Sequence, residues 1–272
     1  MATRSPKSTP PAPRFTEDGE GAQMGFFEHL DELRQRFMWG FGVALVATLA
    51  ASFFAEPVLR YLGEPYLRLT ADNRFQILDP TGAVVAYLRV ALLMGVTLAV
   101  PVLTYHILMF FLPALDKRQR RFVLASLPAV FILFLLGVTF TWFIMIPPAL
   151  TFLAGFAPNL FRAEWEASSY INFVTSLLFW MGVAFETPLV LFVLSLLGIV
   201  APAPLIRSWR LAIVVTAVIA ALITPTVDPV NMLLVMGPLL VLYVISILLV
   251  AVGIRLFRRN HRQEDPRARA VS

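Results

Sequence analysis

Residues 122–154 read FVLASLPAVFILFLLGVTFTWFIMIPPALTFLA, a run of 33 residues without a charged side chain. About 20 apolar residues in a helix cross a hydrocarbon core roughly 30 Å thick. At 1.5 Å per residue this run is about 50 Å long, so as a helix it must tilt or project from the membrane. Its reading decides the fold: the chain spans a bilayer. Further apolar runs lie at 38–55, 83–112, 171–200, 211–224 and 232–254, interrupted by charge only at Arg89 and Glu186. The sequence therefore predicts an all-α integral membrane protein with six transmembrane helices. The run at 211–224 is short, about 21 Å, and requires the bilayer to thin or the protein to shield the mismatch. Pro101, Pro128, Pro188 and Pro238 fall inside apolar runs and are expected to kink them.

Composition agrees. The chain is 58% hydrophobic and 14% charged, against roughly 25% charged in soluble domains. With no cysteine it has no disulfide, thiol nucleophile or thiolate metal site. Residues 1–24 are rich in Pro, Ser, Thr and charge and are expected to form a disordered tail, not a secretory signal, since no apolar core follows the basic residues. Residues 25–254 are the expected membrane domain and 255–272 a basic C-terminal tail.

The net charge of +5 invites a nucleic-acid reading, but the distribution of basic residues answers it. Of 22 Lys and Arg, only Arg60, Arg68, Arg74, Arg89 and Arg162 lie in the first and third loops or at the start of the second helix. The other 17 lie in the two tails and in the second and fourth loops. The positive-inside rule then puts both termini in the cytoplasm. The charge is a topology signal, and no nucleic-acid partner is expected.

Residues 25–37 read GFFEHLDELRQRF. On a helix, Phe26, Leu30, Leu33 and Phe37 fall within about 60° of one another. Glu28, Asp31, Glu32 and Gln35 face the other way, with Arg34 and Arg36 flanking the apolar stripe near lipid phosphates. This predicts a helix lying along the cytoplasmic interface. Interfacial helices usually carry a basic outer face, because the cytoplasmic leaflet is anionic. Here it is acidic, which leaves two readings: a solvated face with local ion pairs, or a docking site for a basic ligand.

A resemblance bears on that choice. His29-Leu30-x-Glu32-Leu33-Arg34-x-Arg36 is similar to the N-terminal signature of the TatC family, a component of the twin-arginine protein translocase. Pro65 follows in the first outer loop, then Phe110-x-x-Pro113-x-Leu115 leading into Lys117 and Arg120-Arg121. Phe185-Glu186-x-Pro188, Thr224-Pro225 and Asp228-Pro229 complete the series, in order, from about Gly25 to Ile254. The resemblance implies a concave, cupped bundle of kinked helices in the cytoplasmic membrane. It implies a receptor for the paired arginines of signal peptides on folded cargo, working with TatA- and TatB-type single-span subunits, the proton motive force, membrane lipid and further copies of itself. No cofactor, metal or catalytic residue is implied.

The resemblance assigns signal-peptide contact to Glu32, Arg34, Arg36, Phe110, Leu115 and Arg120. The guanidinium of a cargo arginine and the Glu32 carboxylate match as a bidentate, charge-assisted pair. The family's second acid falls on Gln119, which accepts a hydrogen bond but carries no charge; Asp116, Glu28 and Asp31 are candidates to supply it. Another departure is Val244, where some members carry an acid. Phe110 and Pro113 are read mainly as shaping the end of the second helix, and His106 as a packed polar residue. On the outer side, Pro65 and Asp228 are implied to be functional.

Glu186 is the acid at membrane depth, where an ionised carboxylate costs a few kcal/mol. It is either satisfied by hydrogen bonds inside the bundle or faces a cavity, a partner or a proton path. The family reading places it, with Pro188, on a concave face that meets partner helices and cargo. The alternative function is a proton-coupled secondary transporter using Glu186. One intramembrane acid and no paired broken helices argue against that. With His29, His106 and His261 dispersed and no Cys, no hydrolytic triad or metal cluster assembles.

Overall fold

The computed structural model describes residues 18–68, 75–111, 117–157, 159–160, 165–224 and 228–264. The side chains of 18–30, 32–33, 110–111, 117–119, 122 and 257–264 lie outside that description. The described residues are helical apart from turns, short connections and one isolated bridge.

The first helix, α1 (Asp18–Ser52), is continuous for 35 residues. The expected break between a surface helix and the first span does not occur: nothing between Phe37 and Met38 interrupts the backbone ladder, since neither Gly nor Pro stands there. Helix α2 (Ala55–Leu67) follows after a 78° bend, inside what the sequence pattern marks as a loop, and carries Pro65 within it. Helix α3 (Gly82–Phe111) returns antiparallel to α1 and runs on through Pro101. The two approach closely where side chains are absent. A Cβ at Gly95 would overlap the Thr48 backbone, and one at Gly40 would lie 2.8 Å from Leu103 Cδ2.

The long apolar run is divided. Its first residues belong to the basic helix α4 (Lys117–Ala125), which ends where the Ser126 hydroxyl donates to the Val123 carbonyl and Pro128 enters the first turn of α5 (Leu127–Phe140). A π-turn at Thr141–Met145 then leads into α6 (Ile146–Ala154). Pro147 and Pro148 offer no N–H to the preceding turn, and the Ile146 N–H bonds Thr141 O, one residue further back than in an α-helix.

Helix α7 (Ala167–Phe185) is central, packing against α2, α3, α5, α10 and α11 with eleven buried residues between Ala167 and Phe185. It continues as α8 (Thr187–Leu196), which lies along α11 (Pro229–Glu264) so closely that a Cβ at Gly253 would collide with the Ser195 hydroxyl. Short α9 (Pro202–Arg207) and α10 (Trp209–Ile223) complete the bundle.

Among the described residues, four stretches are long and apolar enough to cross a membrane: Gly82–Met109, Leu127–Ala154, Ala167–Leu196 and Pro229–Leu256. Arg34–Ser52 with Ala55–Leu67 makes a fifth candidate, while Trp209–Ile223 is apolar but only 15 residues. Many large side chains face outward, among them Phe37, Phe41, Leu98, Ile132 and Leu248, as a lipid solvent permits.

At the α2 end the connections are tied together. The Ala167 N–H donates to Gln76 O at 2.8 Å, within a Gln76–Glu166 bridge. Tyr66 Oη donates to Trp165 O, and Tyr170 Oη donates to Leu62 O, both at 2.8 Å. The Tyr66 ring stacks on Phe75 at 5.3 Å and lies 5.2 Å from Tyr170. Buried tyrosine hydroxyls on backbone carbonyls combine apolar burial with satisfied polar tips.

Candidate functional site

Of the residues assigned to peptide contact, those whose backbone is described gather toward one end of the bundle. Gly40 sits against Leu103 and Thr48 against Gly95, which fixes the antiparallel register of α1 and α3. Carried two turns further, that register sets the Glu32 backbone level with Phe111. At the same end, Val123 of α4 is buried against Leu108 of α3 and Val193 and Leu196 of α8. Glu32, Phe110 and the helix carrying Gln119 thus share one end, opposite the tied connections. Asp31 and Arg34 are exposed, Arg36 is half-buried, and Arg120 projects outward. The side chains of Glu32, Phe110 and Gln119 lie outside the described residues, as do Leu115, Pro113, Asp116 and Pro225 entirely.

Glu186 is the hinge between α7 and α8. It closes α7 through its N–H to Val183 O, and its own carbonyl accepts from Leu189 and Val190, so it caps both helices at once. Pro188 causes the break, because it has no N–H to give the carbonyl four residues back. Pro188 is buried and the Glu186 side chain is half-buried. Its carboxyl faces the Phe134 backbone of α5, where the Gly137–Gly182 approach lets α5 and α7 close together. Oε1 is buried and has no hydrogen-bond partner among the described residues. A buried oxygen without a partner is a costly feature to retain.

Pro65 lies half-buried beside a groove of about 590 Å³ between α2 and the π-turn region. Tyr61 and Trp142 bound that groove, with Trp142 Nε1 donating to Tyr61 Oη at 2.9 Å. Asp228 caps α11: Oδ1 accepts the Asn231 N–H at 2.7 Å and Oδ2 accepts Asn231 Nδ2 at 2.9 Å, with Pro229 next in the first turn. Val244 faces outward, and His106 packs edge-on to Tyr105.

Another polar feature escaped the sequence reading. Arg89 of α3 lines a groove of about 290 Å³ together with Asn172, Thr175 and Ser176 of α7. The arginine was visible as an intramembrane charge. Its company was not, because three polar residues in α7 read as ordinary helix without the register of α7 against α3.

These helices, several of them long and apolar enough to cross a bilayer, define a multi-pass membrane protein. The family model described as Sec-independent protein translocase protein (TatC) matches residues 28–238. The chain belongs to the TatC family. A TatC protein of Koribacter versatilis is 35% identical over 82% of this chain and 84% of its own length. That of Synechocystis is 32% identical over 85% and 90%, and the chloroplastic TATC of Arabidopsis thaliana 32% over 85% and 67%. A crystal structure of a twin arginine translocase receptor, TatC, superposes with a TM-score of 0.74 at 35% identity, covering 83% of this chain and 99% of that one.

Proposed function

We propose that this chain is the signal-peptide receptor and core subunit of a twin-arginine translocase in the cytoplasmic membrane. It spans six times with both termini in the cytoplasm. Paired arginines of folded cargo dock at the bundle end bearing Glu32 and α4, and TatA- and TatB-type subunits join the complex. The observation that carries this reading is the antiparallel register of α1 and α3, which brings the HLDELRQR segment level with the end of α3 in a chain of the TatC family. One carboxylate on a helix that continues out of a span suits a guanidinium at the membrane surface, where the pair is partly desolvated.

The test is binding of a twin-arginine peptide to the purified chain, with a twin-lysine peptide as control. Loss of one charged partner costs about 1.5–3 kcal/mol, or roughly 10–150-fold in affinity. Glu32→Ala should lose that much, and Glu28→Ala markedly less. Equal losses would mean that the acidic face acts as a diffuse field and not as a site.

A further inference from the structure

We propose that the groove between α3 and α7 holds an anionic phospholipid, its phosphate on Arg89 and Asn172 and its acyl chains along Val96, Phe179 and Trp180. The two helices start level with each other, for a Cβ at Gly82 would lie 3.7 Å from Ser168 Cβ and 2.8 Å from Glu166 Oε1. Both run inward from that end, which sets Arg89 beside Asn172, Thr175 and Ser176. The span Gly82–Met109 has 28 residues, about 42 Å, and so exceeds a hydrocarbon core of about 30 Å by about 6 Å at each end. Arg89, about 10 Å into the helix, therefore has its backbone just inside the hydrocarbon boundary. From there a long cationic side chain reaches back to the phosphate level.

The lining is graded as an amphiphile is. Arg89, Asn172 and Ser176 stand toward the interface, and Leu93, Val96, Phe179 and Trp180 extend the groove deeper. Arg89 is half-buried and has neither an ion pair nor a hydrogen bond among the described residues. The Ser176 hydroxyl donates to Asn172 Oδ1 at 3.3 Å, which leaves the Asn172 amide N–H groups as donors toward the groove. Thr175 is spent internally, donating to Ile171 O at 2.6 Å. Among the described residues no acid lines the groove, and Arg89 is the one charged side chain there. A headgroup of net charge −1 neutralises it, whereas the ammonium of a zwitterionic lipid finds no carboxylate there. Leu92 and Trp180 are about half exposed, so the groove is open sideways and chains pass from it into the bilayer. The site is independent of how peptide recognition works.

The full chain is reconstituted in nanodiscs of phosphatidylcholine with graded phosphatidylglycerol. Bound lipid is then counted by native mass spectrometry after gentle extraction. Arg89→Gln should lower retained phosphatidylglycerol about tenfold or more, the worth of a charge-assisted contact, while Arg89→Lys keeps most of it. Brominated phosphatidylglycerol should quench a tryptophan component that is absent from Trp180→Phe, and Arg89→Gln should abolish that quenching. Equal retention in Arg89→Gln, or equal quenching by brominated phosphatidylcholine, overturns the proposal. So does the finding that Arg89 crosslinks to an acidic residue of a single-span partner while lipid retention is unchanged. Should Arg89→Gln not accumulate, Asn172→Leu decides, with a several-fold loss of retained lipid expected and an unchanged value overturning the site.

Discussion

If paired arginines dock as proposed, Gln119 makes the two unequal. On the proposed reading one meets the Glu32 carboxylate and the other a neutral amide. Hydrogen bonds to charged groups contribute about 1.5–3 kcal/mol against about 1 for neutral pairs. Lysine in place of the arginine near Gln119 should therefore be tolerated better than lysine near Glu32. Gln119→Glu should tighten binding and steepen its salt dependence, since an added exposed pair is screened by ions. Peptide titrations at low and high salt with both single-lysine peptides check this, and an unchanged salt slope would move the second contact to Asp116 or Asp31. On the same proposed reading, Glu186 acts in a later step. It lies within the Ala167–Leu196 span, about 15 Å short of the Leu196 end that it shares with Glu32, with one oxygen unsatisfied among the described residues. Glu186→Gln should leave peptide crosslinking intact and reduce cargo export in the same cells; loss of both would tie recognition to the hinge. Its singularity was legible in the sequence, because an acid in an apolar run is conspicuous. Its double cap was not, because which carbonyls lose their donors to Pro188 depends on where the helix breaks.

Among the elements, the helix pairs of closest approach are held by absent side chains. A Cβ at Gly95 would strike Thr48 Cα and N as well as its Oγ1, so Gly95→Ala must separate α1 from α3. Overpacking of this kind costs about 1–3 kcal/mol. Gly237 of α11 has open space around it, and alanine there should be neutral or stabilise by about 0.5–1 kcal/mol through helix propensity. Thermal unfolding in detergent should show a lowered midpoint for Gly95→Ala and none for Gly237→Ala. The periodicity that marked 25–37 as a helix found the element, yet the expected separation from the span failed, because amphipathicity reports which side is apolar and not where an axis bends. Likewise α2 read as loop: its apolar residues, Leu62 and Tyr66, are buried by segments 75–77 and 165–170, contacts from beyond the helix that no local pattern announces. The uncharged run at 122–154 was plain as a span, while its π-turn depends on paired prolines whose effect on the preceding carbonyls is only geometric.

For the whole molecule, the chain's lack of cysteine makes topology directly testable. Single cysteines at Asn73 and Asn159 should react with an impermeant thiol reagent from outside intact cells, and one at Arg118 should not. Protection of Asn73 would remove the six-span arrangement. In that arrangement α10, 15 residues and about 22 Å long, faces a bilayer core of about 30 Å. A film pinned to so low a wall is a pinched elastic sheet, and its dent costs fractions of a kcal/mol per Å of mismatch. A sheet under such strain transmits force. Another short inclusion drifting to that edge shares the existing dent instead of making its own, so the two attract before any surfaces touch and without regard to their chemistry. Longer lipid chains steepen that pull, and chains short enough to meet α10 at its own height extinguish it.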